Sequence, residues 1–130
     1  MAITKIRVVS ITSKDAEAGS NFFCNFYVKV GGEIIGAQEI QLPSPSPGGA
    51  TQHDLSLKLQ KDASEFSDNS FSFDIDAGGD VNDKWLPSAI YVFGLDGDEW
   101  KLLSAVMEWP AVWVGAGGNT SEYKFSQLNS

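Results

Sequence analysis

The stretch Phe22-Phe23-Cys24-Asn25-Phe26-Tyr27-Val28-Lys29-Val30, closed by Gly31-Gly32, decides the fold class. Every second residue from Phe22 to Val30 is apolar, with Asn25 and Lys29 between them. Successive strand side chains point to opposite faces, so this spacing lays Phe22, Cys24, Phe26, Val28 and Val30 on one face. A helix would scatter the same five residues around its axis. Gly31-Gly32 then suits a two-residue hairpin turn, which needs positive φ, and Glu33 to Ile40 is expected to return as the partner strand. Within that apolar face Cys24 is expected to be inert core, because a buried thiol behaves as a small hydrophobe.

Working outward, Ile3 to Thr12 reads as a strand with Ile6 and Val8 on one face and Ile3, Val9 and Ile11 on the other. Leu42 to Asp54, with Pro43, Pro45, Pro47 and Gly48-Gly49, reads as a loop, since prolines deny donors to a ladder. Alternation returns in Leu55, Leu57, Leu59 and in Phe71, Phe73, Ile75. Ser88 to Leu95 and Trp100 to Met107 flank the turn Asp96-Gly97-Asp98 and form a second expected hairpin. Ala111 to Val114 and Glu122 to Leu128 complete about eight or nine short strands, with no helical stripe among them. The expected fold is all-β, a single antiparallel β-sandwich over residues 1–130.

A chain of 130 residues suffices for one core without staples, and one cysteine rules out an internal disulfide. Met1 to Ile11 lacks the apolar block of a signal peptide, and polar residues interrupt every apolar run, so the expected location is cytoplasmic, or outside after export without a cleavable signal peptide. Seventeen acidic against nine basic residues give a formal charge of −8, which repels nucleic acid. Anionic lipid is disfavoured too, unless a divalent cation bridges protein and headgroup.

The sharpest polar constellation is Asp74, Asp76, Asp80, Asn82 and Asp83 around Gly78-Gly79. Asp74 and Asp76 would leave one strand face about 6.6 Å apart, and the glycines can fold the other three back toward them, as a calcium ion with its six to eight oxygen ligands requires. It is not an EF-hand, because Gly78 and Trp85 occupy the fifth and twelfth positions of that loop. The alternative is a solvated acidic turn bonded to its own backbone. Of four tryptophans, Trp85, Trp100 and Trp109 lie near expected strand ends, where an aromatic can stack on a sugar or enter a membrane interface, whereas Trp113 reads as core.

Catalysis is not expected. His53, the only histidine, falls in the proline-glycine region with no Gly-x-Ser-x-Gly elbow to pair with, and is assigned loop or surface duty. Gly115 to Ser121 has the glycines of a phosphate loop without its lysine or following helix. Carboxylate pairs such as Asp96 and Asp98 would need a cleft that so small a domain has little room to form.

The segment Asp80-Val-Asn-Asp-Lys-Trp-Leu-Pro-Ser-Ala-Ile-Tyr-Val92 resembles the PLAT (lipoxygenase-homology) β-sandwich family, in which a polar turn leads into a Trp and an Ile-x-Val strand, here Trp85, Ile90 and Val92. The resemblance implies an eight-stranded sandwich whose end loops mediate calcium-assisted membrane attachment or protein contacts. The functional expectation is therefore a non-catalytic module that binds carbohydrate or a membrane surface through end loops. Its alternatives are self-assembly through strand edges and a small hydrolase.

Overall fold

The computed structural model describes residues 2–14, 22–42, 49–75, 84–110, 114–115 and 122–129. Strands β1 (Ala2–Thr12), β2 (Phe22–Val30), β3 (Glu33–Leu42), β4 (Ala50–Asp62), β5 (Phe71–Ile75), β6 (Lys84–Trp85), β7 (Pro87–Asp96), β8 (Glu99–Val106), β9 (Val114–Gly115) and β10 (Glu122–Lys124) precede one helical turn, α1 (Phe125–Leu128). Two four-stranded antiparallel sheets form, ordered β4-β1-β7-β8 and β10-β5-β2-β3, with β6 and β9 as a separate pair. The all-β sandwich is the observed fold.

The β2–β3 hairpin forms as its alternation requires, with Gly31 and Gly32 at φ 62° and 83°, left-handed values that glycine adopts without a Cβ clash. The β7–β8 hairpin turns likewise at Gly97, φ 64°. Ile6, Val8, Ile90, Val92 and Val106 of the first sheet are buried with Phe26, Val28, Ile35, Phe71 and Phe73 of the second in one core. Each such burial contributes roughly 1.5–3 kcal/mol, which dwarfs any surface pair described below. Phe26, Phe71, Phe73 and Phe125 stack and tilt against one another with centroids 5.3–6.4 Å apart. The expectation for Cys24 concerns a side chain outside the described residues; its backbone pairs with Ile40 and Ile75.

Four expectations are corrected. Ile3 joins Ile6 and Val8 in the core, because β1 changes register between Ile3 and Lys5 and the irregularity resets the alternation. The partner strand absorbs the same shift: Ile3 faces Lys61 while Lys5 faces Ser56, and Leu59 is left exposed in between. The expected loop from Leu42 to Asp54 ends earlier, since β4 begins at Ala50, and His53 lies within it opposite Val8. Residues 43–48, with the prolines, are outside the described set. Finally, the strand expected over Glu122 to Leu128 stops at Lys124, and α1 turns Phe125 into the core with Leu128 packed beside it.

Candidate functional site

The outer face of the first sheet follows from the residues that point away from the core. On β1 these are the exposed Lys5 and the partly buried Arg7, Val9 and Ile11; on β7 they are Tyr91, Phe93 and Leu95, also partly buried. Strand β8 adds Trp100 opposite Leu95 and Leu102 opposite Phe93, and Met107 follows just past its end. Leu102 is 55% exposed and Met107 68%. Isolated exposed apolar residues are ordinary, but here Leu102 adjoins a partly buried aromatic row on one face.

Toward the β7–β8 turn the same face becomes polar. The register sets Arg7 beside Asp54 on β4, and the guanidinium donates from Nε to Oδ1 at 2.9 Å and from Nη2 to Oδ2 at 3.0 Å. This fork holds the Asp54 carboxyl below the usual carboxylate range and raises the Arg7 guanidinium further above its own. Arg7 also lies over Trp100, its guanidinium carbon 4.0 Å from the ring centroid. Lys5, Ser56 and Leu95 join these three around a shallow depression of about 290 Å³.

On the other side of β8 the chain returns to the strand at Ser104 and Ala105. Asn129 donates from Nδ2 to the Ala105 carbonyl and to Asp68 Oδ2, both at 2.9 Å, while the buried Ser104 hydroxyl donates to Asp68 Oδ1. Below Asn129, Ala105, Met107, Pro110 and Leu128 border a second open depression of about 590 Å³.

Of the residues nominated from sequence, Trp100 sits at the site just described. Trp109 does not: it is only 8% exposed, belongs to the core, and its ring tilts against Tyr123 at 6.1 Å between centroids. That burial leaves it no broad face for a ligand. Trp85 is in β6 with its backbone opposite Val114, and its side chain is outside the described set. Asp74 lies on β5, on the outer face of the second sheet, where it borders a depression with Tyr27, Lys29 and Ser72. Asp76, Asp80, Asn82 and Asp83 lie outside the described residues, and among those described no group of three acidic, histidine or cysteine side chains is placed to hold a metal. Sequence reasoning missed Arg7 and Asp54; their opposite charges on adjacent strands become a signal only once the β1–β4 register is known.

No family model matches the chain, and no curated protein matches it. Among solved structures it is similar to an alpha toxin from Clostridium absonum, with a TM-score of 0.59 and 19% identity. The match covers 95% of this chain and 31% of the toxin chain, so the chain spans about a third of that protein's length. At this identity the likeness is one of fold.

Proposed function

We propose that this β-sandwich is a non-catalytic recognition module that attaches to a membrane surface through the outer face of its first sheet. The observation that carries the reading is the exposure of Leu102, two residues along β8 from the partly buried Trp100, together with that of Met107 just past the other end of the strand. Apolar side chains that stand in water gain roughly 1.5–3 kcal/mol each when fully removed from it, and indole favours the boundary between apolar and wet regions. Attachment of this kind is shallow, in keeping with the absence, among the described residues, of any helix long and apolar enough to cross a membrane.

The fold shared with part of an alpha toxin and the PLAT-like segment at Asp80–Val92 support the reading by analogy. With a formal charge of −8 the module prefers zwitterionic to anionic lipid, and calcium at Asp74, Asp76, Asp80, Asn82 and Asp83 is proposed as a bridge to anionic lipid by a different face, since Asp74 lies on the outer face of the second sheet. Self-assembly through the β8 edge is the weaker reading, because Asn129 already occupies the Ala105 carbonyl there.

Sedimentation with phosphatidylcholine vesicles, and with vesicles containing phosphatidylserine, each with and without calcium, tests the proposal. Binding to phosphatidylcholine is expected, and Leu102→Asp or Met107→Asp should abolish it without unfolding the protein. If the protein stays in the supernatant under all four conditions, the membrane reading is discarded.

A further inference from the structure

The geometry points to a second binding site on the same sheet: the depression between Trp100, Arg7 and Asp54 takes the ring of a neutral sugar. This goes beyond membrane attachment: it shares Trp100 with that reading, but its hydrogen-bonding groups, Arg7 and Asp54, are ones that attachment through Leu102 and Met107 does not use.

The charge arithmetic comes first. Arg7 and Asp54 cancel one another, so only the positive charge of Lys5 remains around the depression, in a chain of formal charge −8. A phosphate or sulfate would find little net attraction there. A neutral polyol needs something else, namely donors and acceptors held side by side, because each hydroxyl both donates and accepts. The Arg7–Asp54 fork supplies both. A guanidinium carries five N–H donors and a carboxylate about four lone-pair sites, and the fork uses two of each. Ser56 adds a hydroxyl and Lys5 further donors at the rim.

The apolar half of the site is Leu95 with the part of the Trp100 indole that the Arg7 guanidinium does not cover. One side of a pyranose ring presents C–H groups and its rim presents hydroxyls, so it matches a surface that is aromatic on one part and forked with hydrogen-bonding groups on the next. The groups are also fixed in advance. Asp54 is held by Arg7, Arg7 by Trp100, and all three project from strands of one sheet rather than from loops. A volume of about 290 Å³ suits one ring rather than an extended chain.

Amide shifts of the ¹⁵N-labelled full chain, titrated with the methyl glycosides of glucose, galactose and mannose and separately with inorganic phosphate, test this. At least one glycoside should saturably shift amides around Arg7, Asp54 and Trp100. Trp100→Ala and Asp54→Asn, each checked for folding by circular dichroism, should weaken that binding tenfold or more, while Leu102→Asp should leave it unchanged. Vesicles of phosphatidylcholine with and without glucosylceramide separate a free sugar from a lipid-borne one. Sugar-independent vesicle binding with no glycoside response overturns the sugar site and leaves membrane attachment standing. Glycoside binding with no vesicle binding does the reverse. Shifts at these amides with phosphate alone, or with glycosides but unaltered by Trp100→Ala and Asp54→Asn, also overturn the inference.

Discussion

The guanidinium of Arg7 bridges two side chains that the chain places far apart, gripping the Asp54 carboxylate in a bidentate fork while lying 4.0 Å over the indole of Trp100. Lysine keeps the charge but offers neither the planar fork nor the flat face for stacking. Arg7→Lys should therefore return the Asp54 carboxyl toward its ordinary range and change the emission of Trp100, read by a ¹³C carboxyl titration and by fluorescence referenced to Trp100→Phe.

The same fork sets a pH dependence. Because Asp54 titrates lower in the folded chain than in the unfolded one, its stabilisation is complete above the unfolded carboxylate value and is lost as pH falls through the folded value. The pair is solvent-exposed, so the effect is small. In urea titrations, Asp54→Asn should be less stable than the parent near neutrality, and the difference should vanish on acidification below the carboxylate range. A difference that persists there would assign Asp54 a role other than the charged fork.

Gly94 is tightly enclosed on β7. A Cβ at this position would stand 2.6 Å from Leu103 Cδ1 and 2.8 Å from Ile3 Cγ2. Both contacts are side-chain atoms, but Ile3 is fully buried and has little room to yield. Gly94→Ala should cost about 1–3 kcal/mol by overpacking. Combining it with Leu103→Ala should cost less than the sum of the two, because the truncation frees the space the methyl needs.

How far such contacts were legible beforehand varies with their range along the chain. The β2–β3 hairpin was readable because alternation and Gly31-Gly32 are both local, and the β7–β8 turn at Gly97 for the same reason. The face of Ile3 was not, since a register irregularity between Ile3 and Lys5 breaks period two without any residue that announces it. Helix α1 is too short to show a stripe of its own. At the site, Trp100 was visible as an aromatic beside a turn, but its partners were hidden: Arg7 and Asp54 stand 47 residues apart and meet only through sheet register. Trp109 shows the opposite failure, since its place before Pro110 looks loop-like while tertiary packing buries it on Tyr123.

Asp68 is the joint between β8 and the segment after it, accepting from the buried Ser104 hydroxyl and from Asn129. Asp68→Ala leaves that hydroxyl without this acceptor and should cost about 1–3 kcal/mol. Hydrogen exchange should rise at α1 and along β8 before it rises in β2, whose bonds lie on the far side of the core.

Phe125 should be among the most damaging single truncations outside the β2–β3 and β7–β8 hairpins. Its ring is fully buried and lies 5.8 Å from Phe73, 5.9 Å from Phe71 and 6.4 Å from Phe26. Phe125→Ala should cost about 3–5 kcal/mol in urea denaturation, and a loss below about 1 kcal/mol would mean that α1 is not docked in solution.

The position of β1 between β4 and β7 also governs how quickly the chain can find its fold. Ile6 must meet Leu55 on one side and Gly94 on the other, so β1, one of the two interior strands of the first sheet, has no neighbour close to it in sequence. The β2–β3 and β7–β8 hairpins close over short spans and can form early, whereas β1 waits until long loops have been drawn shut. Refolding should accordingly be slow for a chain of this size, on the millisecond-to-second scale typical of non-local β topologies, with β1 amides the last of the first sheet to gain protection. Until β1 docks, β4 and β7 each present an unpaired edge, so the unfinished molecule is open to aggregation along the two edges that β1 pairs in the finished one.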